Sequence, residues 1–354
     1  PKALHRDGVS EWEFCRTITT LLDVPNTCVV GFNSMGFDHT ITRYLLYRNM
    51  FPYYSWQYTA ENSLWDVIDL FRCAEALRPE GFSWPINSDG LLSMKQEHLA
   101  AANNCLMGTA HDALGDVQTL LALCRKIKSS HQKLWTHLFN IRSKNSVLRE
   151  LKKWREPAKA FVLIAGRIGR KTHHCSVVIE LGVGAQGQHI CVDLCKPLEQ
   201  WAELSTDELR EALFTSGTHA RPPLRTFKAN QCPVVLPLGV LTEENWTRLH
   251  FCRAEIEHRQ QFLRESPDFK QRLKAVFNEG YSTQELDVGS QMYSGMLSSL
   301  TKSELADFRS MVTAESARVQ DFSDSRYREL SLRFLGKNFP TRLNPRQQAQ
   351  WHQH

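Results

Sequence analysis

The chain has 354 residues, 42% of them apolar and 23% charged, a balance that fills two or three globular domains and excludes disorder as the main state. No run reaches the roughly 18 to 20 consecutive apolar residues of a membrane-spanning helix, and the opening PKALHRDGVS lacks the apolar core of a signal peptide. Ten scattered cysteines without a CxxC pair read as reduced thiols, so a soluble cytoplasmic chain with no membrane partner is expected. Net charge is only +5, yet residues 125–171 carry 14 Lys and Arg against Glu150 and Glu156, a local +12 that leaves the rest near −7. Such segregation points to a polyanion partner. Trp135, Phe139, Trp154 and Phe161 interleave with these charges; they read as a buried stripe under a solvated face in preference to base-stacking rings.

In chain order, Ser10 to Leu22 has helical apolar spacing, and residues 27–32 form a short apolar run, as in a strand buried on both faces. A turn at residues 33–36 leads to a helix over 37–49, then a strand over 63–68 and a helix over 69–77. Helices are predicted over 94–103 and 112–128. This alternation is that of an α/β layer structure. From Ala160 the runs AFVLIAGRI, HCSVVIEL and HICVDL indicate a small β domain. It contains a helical insertion over 197–214 and returns to extended chain over 227–238. Helices are expected over 243–265, 268–278, 301–315 and 322–336. The expected domains are 1–145, 146–240 and 241–354.

The segment AHDALGDVQTL at 110–120 carries the most chemistry. At 100° per residue, Ala113, Val117, Leu120, Cys124 and Ile127 form an apolar stripe, and Asp116 falls about 60° from its centre. A carboxylate at the edge of a buried face needs a cation close by, either a metal ion or an Arg. His111 precedes this helix, where it can reach the same site or simply cap. Asp38 lies in the first turn of the helix after strand 27–32, the strand-end crevice where α/β sheets bind ligands; an acid there also favours the helix N-terminus. Trp65, Asp66 and Arg72 read equally as packing and a buried ion pair, and Asp69 as an N-cap. His173, His174, Cys175, His189, Cys191 and Cys195 follow no common zinc spacing and are explained by alternating strands.

Together, Asn33-x-x-x-Phe37-Asp38 and His111-x-Ala113-x-x-Asp116 resemble the second and third signatures of DEDD-type 3′→5′ exonucleases with a histidine base. The strings GFNSMGFDHTITRYLLYRNMF, NSLWDVIDLFRCAEALRPEGFSWP, SDGLLSMKQEHLAAAN, NQCPVV and KNFPTRL extend the resemblance to bacterial exonuclease I over nearly the whole chain. It implies an RNase H-like α/β exonuclease domain, an SH3-like β domain and an α-helical domain around a groove for single-stranded DNA. The implied reaction is stepwise 3′→5′ hydrolysis to 5′-mononucleotides in DNA repair and recombination.

Two Mg²⁺ ions, replaceable by Mn²⁺, are implied as cofactors, with Asp38 and Asp116 as ligands and His111 as general base. Arg43, Tyr47 and Arg48 would meet the DNA, although Tyr44 and Leu45 beside them suit a core. Lys152, Lys153, Arg155 and Arg167 of the basic stretch would hold its backbone. A second implied partner is the C-terminal tail of single-stranded-DNA-binding protein, with Arg225 and Lys228 as seats; the chain is expected to be a monomer.

The first family signature, a D-x-E strand, does not precede Asn33: Asp7 lies in a turn-like RDG, and Glu11 and Glu13 lie in a helical stretch. The chain is therefore expected to begin after the first hairpin and to stop short of the terminal helices. This keeps a non-hydrolytic DNA-binding scaffold open as an alternative. An RNA-directed relative of the RNase T or oligoribonuclease type is disfavoured, since those enzymes are little more than the catalytic domain.

Overall fold

The computed structural model describes residues 8–108, 112–155, 158–185, 187–215, 220–277 and 286–353. In chain order its elements are α1 (Glu11–Leu22), β1 (Cys28–Gly31), α2 (Asp38–Arg48), β2 (Ser63–Asp66), α3 (Ile68–Leu77), α4 (Gln96–Ala102) and α5 (Ala113–Ser130). Next come α6 (Gln132–Asn140), α7 (Lys144–Arg155), β3 (Phe161–Ile164), β4 (Cys175–Val183), β5 (Gln188–Asp193), α8 (Thr206–Phe214), β6 (Leu224–Lys228) and β7 (Val234–Pro237). The chain continues through α9 (Glu243–Arg248), α10 (Arg253–Glu265), α11 (Pro267–Ala275), α12 (Ser299–Thr313), α13 (Ser325–Asn338) and α14 (Pro345–Trp351). These elements fall into two compact units: Pro1–Val29, Ser34–Leu64 and Ser282–His354 in the first, Val30–Asn33 and Trp65–Tyr281 in the second.

The first unit is helical because its helices bury aromatic stripes. The α1 helix starts in a capping box, where Ser10 accepts from the Glu13 N–H and Glu13 accepts from the Ser10 N–H. It buries Trp12 and Cys15. Trp12 packs 5.0 Å from Phe51 and edge-on to Phe334 of α13 at 5.2 Å. Each fully buried side chain of this kind contributes about 1.5–3 kcal/mol of hydrophobic stabilisation. Lys337 ties α13 back to Glu11 at 2.9 Å.

The second unit is built on a five-stranded antiparallel sheet of order β6-β5-β4-β3-β7. Val147 and Leu151 of α7, one turn apart, are buried in its core with Phe161, Val178 and Val235. Trp154, one turn further, stacks on Phe161 with centroids 5.0 Å apart. Trp135 and Phe139 pack on Trp65 at 4.6 and 5.3 Å. The four aromatics of the basic stretch are thus packed rings.

Two elements differ from expectation. The β1 strand pairs with β2 in a two-stranded sheet, and Val30 is 41% exposed, so this strand is not buried on both faces among the described residues. The helix expected over 243–265 is two helices, because His250 takes a left-handed φ of 54° that an α-helix cannot accommodate.

Candidate active site

Asp38 opens α2, and the turn before it is fixed from both ends. Asn33 adopts a left-handed φ of 56°. In the second unit its N–H donates to Asp66 Oδ1 at 2.8 Å, and the same oxygen accepts from the Ile68 N–H at 3.2 Å. In the first unit the His39 N–H donates to the Ser34 carbonyl at 3.0 Å, and Ser34 Oγ and His39 Nε2 are hydrogen-bonded at 3.0 Å. Phe37 precedes the helix without a side-chain cap. Asp38 itself is exposed, in the first turn, where the positive end of the helix dipole faces it.

Asp116 also lies in the first turn of its helix, as the fourth residue of α5. Asp112 is the N-cap and accepts from the Gly115 N–H at 3.2 Å. The loop before it closes tightly on the helix: Thr119 Oγ1 accepts from the Met107 N–H at 3.0 Å, and a Cβ on Gly108 would lie 3.2 Å from Gly115 Cα. Gly108 has a φ of +66°, so both its conformation and this approach require glycine. Gln96 Nε2 donates to the Asp116 carbonyl at 2.8 Å.

The side chain of Asp116 is exposed, which corrects the expected stripe. The buried face of α5 is Gly115, Thr119, Leu123, Cys124 and Ile127, whereas Val117 is 55% exposed. Small Gly115 and Thr119 let the loop pack on them, and this rotates the buried face away from Ala113 and Val117. Asp116 therefore needs no buried counter-charge. Among the described residues neither Asp38 nor Asp116 has an ion pair or a side-chain hydrogen bond. His111 lies outside the described residues.

Other carboxylates are committed. Asp69 is inside the first turn of α3, not its N-cap, and pairs with Arg72 at 2.6 Å; burial pushes its carboxyl up, against the pull of Arg72. Arg72 in turn lies flat against Gly166, where a Cβ would come within 2.8 Å of its guanidinium. Glu75, 3% exposed, bonds His173 Nδ1 at 2.9 Å and Arg248. Although burial raises the Glu180 carboxyl, hydrogen bonds from His189 and Arg155 hold it below its usual value. His174 Nδ1 meets the Gly166 carbonyl at 3.3 Å, and burial together with Arg72 lowers its pKa to about 4. Sequence reasoning missed the Glu75–His173–Arg248 cluster, whose members are far apart in the chain and give no local signal.

The expected nucleic-acid contacts separate into free and engaged cations. Arg48, Lys152 and Arg167 are exposed. Arg43 Nη2 donates to Gln57 at 2.8 Å, and Lys153 pairs with Glu150 at 2.7 Å. Arg155 makes two 2.7 Å bonds to Glu180. Tyr47 is fully buried and donates to the Val288 carbonyl at 3.0 Å, so it is a core residue. Arg225 holds Asp193 through two bonds of 3.0 and 2.9 Å and is not a free cation. Lys228 ends β6, opposite Gln188.

A family model for the exonuclease I SH3-like domain matches residues 142–279, and one for the exonuclease I C-terminal domain matches 286–354. Exodeoxyribonuclease I of Escherichia coli K12 is 32% identical over 365 residues, covering 100% of this chain and 76% of its own length. The chain belongs to the exonuclease I family. A solved zinc-bound complex of the E. coli exonuclease I with single-stranded DNA superposes with a TM-score of 0.89 at 31% identity, covering 98% of this chain and 75% of that one. A solved structure of SSB/exonuclease I in complex with the inhibitor CFAM gives 0.82 at 29% identity, over 100% of this chain and 78% of that one. The exonuclease I architecture is therefore that of this chain: an α/β nuclease part, an SH3-like β domain and a C-terminal helical domain. Membership places it among nuclease-type hydrolases, in a family with a metal-bound member.

Proposed function

We propose that the chain removes nucleotides from the 3′ end of single-stranded DNA by metal-assisted phosphodiester hydrolysis, in bacterial DNA repair and recombination. The observation that carries this reading is the matched setting of Asp38 and Asp116. Each is an exposed carboxylate without a side-chain partner among the described residues, in the first turn of a helix whose preceding loop is pinned. Oxygen donors of this kind fit Mg²⁺, and Mn²⁺ accepts the same set. When bound, two such ions supply charge stabilisation for the attacking and leaving oxygens.

By the family resemblance Asp38 and Asp116 would each be a metal ligand, and each pinned loop would keep its own carboxylate in place before metal arrives. The resemblance assigns His111 the proton of the attacking water, since a neutral imidazole is a base near pH 7. Exposed Lys152 and Arg167 face the phosphates, and the tail of single-stranded-DNA-binding protein is a second partner, with Lys228 as its free cation.

The test is release of label from 3′-labelled and 5′-labelled oligodeoxynucleotides in Mg²⁺ and in Mn²⁺. Early mononucleotide release from the 3′ label, lost in Asp38→Asn and Asp116→Asn, is the expected result. Binding in chelator without hydrolysis in either metal would favour a DNA-binding scaffold instead.

A further inference from the structure

One surface of the first unit has a chemistry that the catalytic reading does not use. Tyr293 ends a 3-10 segment, Val288–Tyr293, and is 58% exposed. Its ring meets Tyr44 edge-on at 6.0 Å and Tyr54 at 6.3 Å with the planes tilted by 54°. Among the described rings none lies parallel on it.

The segment beneath is strapped down. Tyr47 donates to the Val288 carbonyl at 3.0 Å, Tyr44 to the Ser290 carbonyl at 3.4 Å, and Arg326 to the Gln291 carbonyl at 2.8 Å. Asp287 caps the Gly289 N–H at 2.8 Å. A large exposed ring is thus held in one orientation before any ligand arrives, which removes most of the ordering cost of binding.

The charge around it has one sign. Arg43 sits over the Tyr54 ring at 5.4 Å. The Arg48 stem runs along the same segment, 3.8 Å from where a Gly289 Cβ would be. Nearby acids are neutralised: Asp287 by Arg333, Asp324 by Arg326 and Glu11 by Lys337. A preset aromatic face flanked by two arginines matches an unpaired base with its phosphates, because every base offers a π-face and the backbone offers negative charge.

We propose that Tyr293 is a base-stacking contact for single-stranded DNA, with exposed Arg48 facing an adjoining phosphate and Arg43, held by Gln57, adding positive charge beside the Tyr54 ring. This rests on the proposed nucleic-acid function and adds a contact to it.

The experiment is anisotropy of a labelled oligothymidylate in chelator across a salt series. Tyr293→Ala is expected to weaken binding roughly 5- to 150-fold, the range for one lost base–aromatic stack, and to leave the salt slope unchanged. Tyr293→Phe should bind as wild type. Tyr293→Leu, which keeps apolar packing on Tyr44 and Tyr54, should lose affinity as the Ala variant does. Arg48→Ala should instead lower the slope by about 0.7. Wild-type affinity in both the Ala and Leu variants would remove Tyr293 from the DNA path and leave the surface to a protein partner. Equal losses in Phe and Ala would also overturn stacking. Failure of the wild-type protein to bind the oligonucleotide would overturn the functional reading itself.

Discussion

The Asp66 carboxylate accepts the backbone N–H of Asn33 at 2.8 Å across 33 residues of sequence. It holds Asn33, a left-handed residue at the head of the turn before α2. Asp66→Ala leaves this N–H and that of Ile68 without their acceptor, at a cost of about 1–3 kcal/mol. Asp66→Asn keeps an oxygen in place and should cost less. Urea denaturation of the two variants checks this, and an Ala variant as stable as wild type would show that the turn holds without Asp66.

If His111 is the general base, His111→Ala lowers the hydrolysis rate by roughly 10² to 10⁴-fold with metal affinity kept. Asp116→Asn loses metal affinity together with turnover. Isothermal titration with Mn²⁺ separates the two, since equal loss of affinity would make His111 a ligand.

The engaged cations of α7 change what its variants should do. Lys152→Ala is expected to lower the salt slope of single-stranded DNA binding by about 0.7. Arg155→Ala should cost on the order of 1–2 kcal/mol of stability, because it strips a two-bond partner from buried Glu180. An Arg155 variant that alters the slope and not the stability would reverse these roles.

Arg225→Ala leaves the Asp193 side chain, 2% exposed, without its guanidinium. The loss should be about 3 kcal/mol, softened by the remaining bonds from Ser176 and the Cys195 N–H. Lys228→Ala is therefore the clean probe for docking of the single-stranded-DNA-binding-protein tail. A labelled tail peptide should bind it more weakly than wild type, and equal affinity would remove this strand from that interface.

His174 gives the second unit an acid-sensitive element. Its folded pKa of about 4 lies below the ordinary 6.5, so the unfolded chain takes up the proton first as pH falls. The stabilisation is present in full above pH 6.5 and is lost progressively down to about 4. Asn tolerates the left-handed φ of 57° at this position, so His174→Asn should flatten that part of the stability–pH curve. A curve with unchanged steepness would place the acid sensitivity elsewhere.

What the sequence determined by itself was whatever is written in local pattern. The helices over Glu11–Leu22 and Asp38–Arg48 and the strands of the small β domain follow from periodicity and turn residues, and the family from motif strings around Asp38 and Asp116. Tertiary structure decided the rest, because it depends on partners distant in the chain. The spacing of α5 placed Asp116 beside a buried face, yet the loop at Met107 and Gly108 packs on Gly115 and Thr119 and leaves the carboxylate exposed. Arg155 in the basic stretch and Arg225 beyond it look like free cations, and only the folded sheet brings Glu180 and Asp193 to them. Tyr47 and Tyr293 are both tyrosines whose place, core or surface, local pattern leaves open. Packing of Tyr47 beneath the 288–293 segment buries the first and, through that segment, presents the second to solvent.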